Sequence, residues 1–445
     1  MEEKFADYGE VQIKQLNDRS KMYYTPNKEN NVFQLVVQYG AGEREFPKLG
    51  YAAQLMNNAG IMGAYEPQEL KEELSKLNAT CHVTADDDNL YIIMEGYEAT
   101  LPQACQLLSR QILMPKLDEK QLARLKGSAM GMRQQRKDNV SILNEALRQY
   151  MLYGEKSDYI KELTDKEIYE LQISELTGDI NRASNYEAKV FFTGTLPFDQ
   201  VYDILSKNLP LVANERPSNS PQAKDMMPVT ENTVYFLPNN DAEQAQIHLY
   251  IPMQKADKKD DVLRSAFNQY FGLDFTGIVL NEIREKRSMA YTAYAFVGTQ
   301  GIAGKASYLR GYIGTQNDKA NDALDVLMGL VNDMPKDPKR IDNIKSYLRQ
   351  AMLTSHPSFR NKAMELVDLG YRGYTDDPAK ENLPKVDALT FNDIVKFYEE
   401  NIKDKPYCIS IMGNPKNIDL KRLEKFGKVV KLNERKLFNT KDALF

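Results

Sequence analysis

Residues 284–291 read REKRSMAY, a charged run that passes through a short apolar pair to a tyrosine. Arg284 offers a planar fork of N–H groups that stays charged at physiological pH, and Tyr291 offers a phenolic hydroxyl. Lys286 and Arg287 read as solvated charge. Spacing alone favours a salt-bridged helix end followed by a tyrosine on a strand face, so the wider sequence has to decide.

Other reactive residues are sparse. His82, His248 and His356 lie far apart, as do Cys81, Cys105 and Cys408. That pattern fits neither a thiolate zinc site nor a disulfide framework. His248 falls on the phase opposite to the apolar residues around it and reads as a surface or edge histidine. Cys105 shares a helical stripe with Leu101, Leu108 and Ile112 and reads as core. Asp86-Asp87-Asp88-Asn89 fits a hairpin turn, and the glycine that a calcium loop needs at its sixth position is missing. The chain has no G-x-S-x-G, no suitably placed Cys/His pair and no phosphate loop, which discounts a hydrolase built on another site.

The elements that would position Arg284 and Tyr291 occur twice. MYYTPN at 22–27 returns as VYFLPN at 234–239, and each precedes an alternating strand pattern, FQLVVQY from Phe33 and AQIHLYI from Ala245. Met114-Pro115 and Met334-Pro335 each close an amphipathic helix. KVFFTGTLP from Lys189 and YCISIMGNP from Tyr407 are each a strand ending in glycine. Three landmarks in the same order at nearly constant offset describe an internal duplication. Capping boxes at Thr164/Glu167 and Thr390/Asp393 open helices within each copy. The expected organisation is a first unit over 1–212, a Pro/Ser/Asn-rich linker over 213–228, and a second unit over 229–445. Strands bundled with runs of helices predict an α+β fold.

With 445 residues, 42% hydrophobic and 27% charged, the chain has a globular balance and more than one ordinary core. A net charge of −5 carries no polyanion footprint, which argues against nucleic acid as a partner. No run approaches the roughly 18 apolar residues of a membrane span. The opening MEEKFADYGE has neither the basic nor the apolar region of a signal peptide. The compartment stays unassigned, and a cell-envelope or periplasmic location is compatible with an excised or processed half.

This duplicated order resembles the insulinase/pitrilysin family of zinc metallopeptidases, including the mitochondrial processing peptidase type, over nearly the whole length. The runs that carry the likeness are VVQYGAGEREFPKLGYAAQLMNNAG and LKEELSKLNATCHVTADDDNLYIIMEG in the first copy, LNEIREKRSMAYTAYAFVG in the second, and GNPKNIDLKRLEKFGKVVKL at the end. The resemblance implies one half of a clamshell whose two halves enclose a chamber. In the zinc half, H-x-x-E-H places two imidazoles on one helix face with a glutamate as general base. Here the matching positions are Ala53-Gln54-Leu55-Met56-Asn57, so Ala53, Met56 and Asn57 stand where two ligands and the base would be. By the same resemblance the third ligand falls near Gly131 to Gln134, and residues 121–137 contain no acidic residue. The likeness is therefore to the non-zinc half, with no cofactor in this chain and zinc expected in a homologous partner half.

In the non-zinc half of that family, a helix ends in an arginine and a tyrosine seven residues later begins a strand. Arg284 and Tyr291 match that pattern, which implies contacts to a peptide undergoing hydrolysis at the partner's zinc. Such donors suit the charge that develops on the carbonyl oxygen. The first copy's stretch LKEELSKLNATCHV from Leu70 lacks the pair. The expected function is the metal-free half of a zinc endopeptidase, inactive alone, whose partner is a separate subunit or an upstream part of the same polypeptide. The alternative is a non-enzymatic scaffold or binding subunit, against which the retained Arg/Tyr pair speaks.

Overall fold

Alternating burial turns the two strand patterns into the middles of two sheets. The computed structural model describes residues 5–212, 215–273 and 276–441. Its strands, in chain order, are β1 (Gln12–Gln15), β2 (Lys21–Pro26), β3 (Val32–Tyr39), β4 (Gly60–Ile61), β5 (Thr80–Ala85), β6 (Leu90–Tyr97), β7 (Pro115–Lys116) and β8 (Ala188–Gly194). They continue with β9 (Thr233–Pro238), β10 (Gln244–Lys255), β11 (Ala290–Thr299), β12 (Ala306–Gln316), β13 (Cys408–Gly413) and β14 (Lys428–Lys431). One six-stranded sheet has the order β1-β2-β8-β3-β6-β5 and the other β14-β9-β13-β10-β12-β11, while β4 and β7 form a separate short pair. Strands β2 and β8 are parallel, as are β9 and β13, and the next three pairings in each sheet are antiparallel. The sheets differ at one edge, where β1 joins β2 antiparallel and β14 joins β9 parallel.

Each sheet buries one face under its own helices. Phe33, Leu35, Val37 and Tyr39 of β3 pack with Leu101, Cys105, Leu108 and Ile112 of the helix Leu101–Leu113, so Cys105 is core as read. In the other sheet Ile247, Leu249 and Ile251 meet Leu324, Leu327 and Met328 of the helix Ala320–Asn332. The expected capping boxes form at Thr164/Glu167 and Thr390/Asp393, each satisfying orphan N–H groups at a helix start. No helix among the described residues is long and apolar enough to cross a membrane.

The other face of each sheet is covered reciprocally. The helix Lys362–Tyr371, from late in the chain, lays Ala363, Met364 and Val367 on Val36, Tyr91, Ile93 and Phe191 of the first sheet. The helix Val140–Tyr153, from early in the chain, lays Leu143, Leu147 and Met151 on Leu237, Tyr250, Cys408 and Met412 of the second. Ala213 and Asn214, at the start of the expected linker, lie outside the described residues; the rest of it is tied to both sheets. Glu215 is buried and accepts from Ser20 N at 3.1 Å and Asn17 Nδ2 at 2.8 Å. Met227 N donates to Leu152 O at 2.7 Å, and Gln300 Nε2 donates to Lys224 O at 2.8 Å. These side-chain and backbone bonds make the described part of the segment a seated strap.

His248 corrects the surface reading. It does lie on the face opposite the apolar residues, but β10 is central and the helix Val140–Tyr153 lies over that face. Its side chain is 2% exposed, with Nε2 donating to Asn144 Oδ1 at 3.0 Å. Burial, reinforced by the Arg310 and Arg148 charges, depresses its pKa to about 3. The unfolded chain would bind a proton below about pH 6.5 and the folded chain would not. Stability present above that pH should therefore be lost on acidification toward 3, by about 1.4 kcal/mol per pH unit. Melting wild type and His248→Gln between pH 7 and 4.5 tests this: the wild type should lose stability more steeply, and equal slopes would refute it.

Candidate functional site

Arg284 and Tyr291 are brought together by three local departures from regular geometry. The short helix Ile278–Leu280 runs into a π turn, Asn281–Glu285, in which Lys286 N bonds Asn281 O at 3.0 Å. π turns are rare and concentrate at functional sites. Ser288 then takes φ 49, a left-handed conformation that a non-glycine residue adopts at a cost. It is held there by Ser288 N to Arg284 O at 2.8 Å, Met289 N to Ile283 O at 2.9 Å, and Lys319 Nζ to Ser288 O at 3.3 Å. The Thr315 hydroxyl donates to Met289 O.

The third departure is a β-bulge. Ala290 pairs with Thr315 and Thr292 with Gly314, so Tyr291 is the extra residue. Ala293, Ala295 and Val297 are buried on the core face, and strict alternation back from them would put Tyr291 there too. The bulge moves Ala290 to the core instead and leaves Tyr291 and Thr292 outward. Tyr291 is 79% exposed, and the Arg284 guanidinium carbon lies 5.2 Å from its ring centroid. Arg284 also makes a 3.5 Å ion pair with exposed Glu285, which contributes little at such a surface.

The other charges of the motif are tied down. Glu282 accepts from Lys286 Nζ at 2.6 Å and from Arg287 Nη1, and these bonds hold its carboxyl below the usual range. The guanidinium beside the tyrosine is thus Arg284 alone.

The positions expected to match the zinc motif have structural uses. Ala53 and Met56, on the helix Leu49–Met56, are each 1% exposed in the apolar core. Asn57 donates to Val83 O at 2.9 Å and accepts from Val83 N at 2.8 Å. It thereby satisfies the outward backbone groups of β5, an edge strand. Asn268 treats Val297 of edge strand β11 the same way, donating at 3.0 Å and accepting at 2.6 Å. The sequence reading missed this equivalence, although the two asparagines keep the spacing of the duplicated landmarks. Near the expected third ligand, Arg133 pairs with Asp165 at 2.7 Å and Glu162 at 3.4 Å. Among the described residues no group of three or more His, Cys, Asp or Glu side chains is placed to hold a metal ion.

With that geometry in hand, comparison with known proteins points to one family. Residues 184–348, which include Arg284 and Tyr291, match the peptidase M16 inactive domain. No curated protein matches. The structure of a peptidase M16 inactive domain from Pseudomonas fluorescens superposes with a TM-score of 0.71 at 17% identity, covering 92% of this chain and 99% of that one. The ferredoxin protease FusC, in complex with Arabidopsis ferredoxin, gives 0.69 at 13% identity over 91% of this chain and 45% of its own. The periplasmic protease PqqL from Escherichia coli gives 0.67 at 12% identity over 91% and 46%. The chain spans about half the length of those two proteases, and at such identities the likeness is of fold. Residues 184–348 are thus similar to the peptidase M16 inactive domain, and over most of its length the chain shares the fold of such a domain, in line with the resemblance read from the sequence.

Proposed function

We propose that this chain is the half of a zinc endopeptidase that holds no metal, acting beside an H-x-x-E-H half. The carrying observation is the Arg284–Tyr291 pair: two strong donors are set on one exposed face by a π turn, a left-handed residue and a bulge. Local strain of this kind persists where the surrounding structure over-determines it.

The partner's zinc, when bound, supplies an activated water. This chain's part is to orient and stabilise. Tyr291 donates its hydroxyl to the substrate carbonyl oxygen as negative charge grows there. Arg284 holds the neighbouring backbone carbonyl and, over the ring, strengthens the phenol as a donor. Two duplicated units, over 1–212 and 229–445 with the strap between, form the frame; the matching strand order supports that division. The partner is either a separate subunit or an upstream part of the polypeptide, a reading supported by FusC and PqqL being about twice as long.

The test is reconstitution. Peptide cleavage is measured for this chain, for a zinc-bearing homologue from the same source, and for the mixture. The mixture should exceed either component by more than tenfold, with zinc analysed only in the homologue. Cleavage by the zinc half that does not change on mixing, with a complex still formed, would move the assignment to a scaffold subunit. That second reading is favoured by the structural use of Ala53, Met56 and Asn57.

A further inference from the structure

The face onto which the bulge turns Tyr291 continues along β11 as an aromatic shelf. Thr292, Tyr294 and Phe296 alternate outward while Ala293, Ala295 and Val297 are buried inward. Tyr294 lies 6.0 Å from Phe296 and 5.3 Å from Tyr312 of β12, ring centre to ring centre. Tyr312 is fixed in turn by a hydrogen bond to Gln246. Tyr294 and Phe296 are half-buried and take part in none of the apolar cores of the described residues. The helix Val140–Tyr153 that covers this side of the sheet packs on β9, β10, β13 and Tyr308 of β12, with no residue of β11 in those clusters. Strand β11 is the sheet edge.

The duplicated unit supplies a comparison for such an edge. The Asn57–Val83 and Asn268–Val297 clamps align β5 with β11. On that alignment Thr80 and His82 are the counterparts of Tyr294 and Phe296, and both are exposed polar residues. A solvated edge is expected to be polar. Only the copy that carries Arg284 and Tyr291 places a phenol and a phenyl ring at these two positions. Solvation gives no reason for that exchange, whereas a bound side chain does.

From this we infer that the Tyr294–Phe296–Tyr312 shelf selects substrates: it takes aromatic or long apolar side chains of an extended peptide whose scissile carbonyl lies at Tyr291. This rests on the endopeptidase reading for the identity of the ligand. A strand rises about 3.3 Å per residue, so Tyr294 and Phe296 stand roughly 10 and 17 Å along β11 from Tyr291. The selected side chains therefore sit about three to five residues from the cleaved bond. Offset or edge-to-face ring contacts supply the preference; Asn268 and Gly272 occupy outward backbone groups of Val297 and Ala295, so the peptide lies over the outward face rather than adding to the edge.

The experiment uses the full chain without any zinc half. Two fluorescein-labelled ten-residue peptides, identical except for two phenylalanines, two positions apart, replaced by serine in the second, are titrated by anisotropy. The wild type should bind the phenylalanine peptide at least tenfold more tightly. The double variant Tyr294→Thr, Phe296→His, which installs the first copy's residues, should lose that preference with an unchanged circular dichroism spectrum. Equal binding of the two peptides by wild type, or a preference retained by the double variant, overturns the inference. Arg284→Ala is measured in parallel and should keep the aromatic preference. If mixing with a zinc half leaves cleavage unchanged, the endopeptidase reading fails separately, because this titration involves no catalysis.

Discussion

Tyr291→Phe, assayed with a zinc-bearing half, is expected to lower kcat by about 10² to 10³ with KM changed by less than about threefold, the size of losing one oxyanion donor. The substitution removes a single hydroxyl and keeps the ring beside the Arg284 guanidinium. Because the side chain is 79% exposed, the melting temperature should not move, so lost turnover cannot be ascribed to a damaged fold. Arg284→Ala should produce a similar fall, and Arg284→Lys should recover only part of it, since an ammonium lacks the planar fork. Normal cleavage by both Tyr291→Phe and Arg284→Ala, in a complex that still assembles, would remove the pair from the mechanism.

Asn57→Ala and Asn268→Ala should each cost roughly 2 kcal/mol, measured by denaturant unfolding. Each leaves a valine N–H and C=O on an edge strand without their partners, at about 1–3 kcal/mol for an unsatisfied buried group. Partial solvent access keeps the figure below the sum of two such losses. Asparagine is required at both sites because one side chain must donate and accept at once; Asn57→Asp should fare no better than alanine, its carboxylate facing Val83 O. Building the family's motif into this helix, with Ala53→His, Met56→Glu and Asn57→His together, should destabilise the chain without creating a zinc site. Two of the three positions are fully enclosed by apolar neighbours, and Arg133 stands near the place of the third ligand. Stoichiometric, tightly held zinc in that variant would contradict the structural reading of these positions.

Much of this protein was legible because it depends on local pattern. Period-two burial in FQLVVQY and AQIHLYI predicted strands, and both are central. Proline after Met114 and Met334 predicted helix ends, which fall at Leu113 and Asn332. The Thr164 and Thr390 boxes form as read, since a cap involves residues three apart. The absence of donors at Ala53 and Met56 needed only residue identity.

What the tertiary structure alone decided concerns groups distant in sequence, and orientations that one inserted residue reverses. His248 was placed on the correct face, but alternation cannot say that a helix some hundred residues earlier covers that face, so a supposed surface histidine is buried and neutral. The strap at 215–228 has the composition of a loose connection, and its hold comes from Ser20, Leu152 and Gln300, none of them nearby in the chain. Most of all, the types and spacing of Arg284 and Tyr291 can be read from eight letters, whereas the side of the sheet on which Tyr291 emerges cannot. That side is set by a bulge paired against Thr315 and Gly314, a register that exists only once β12 is in place.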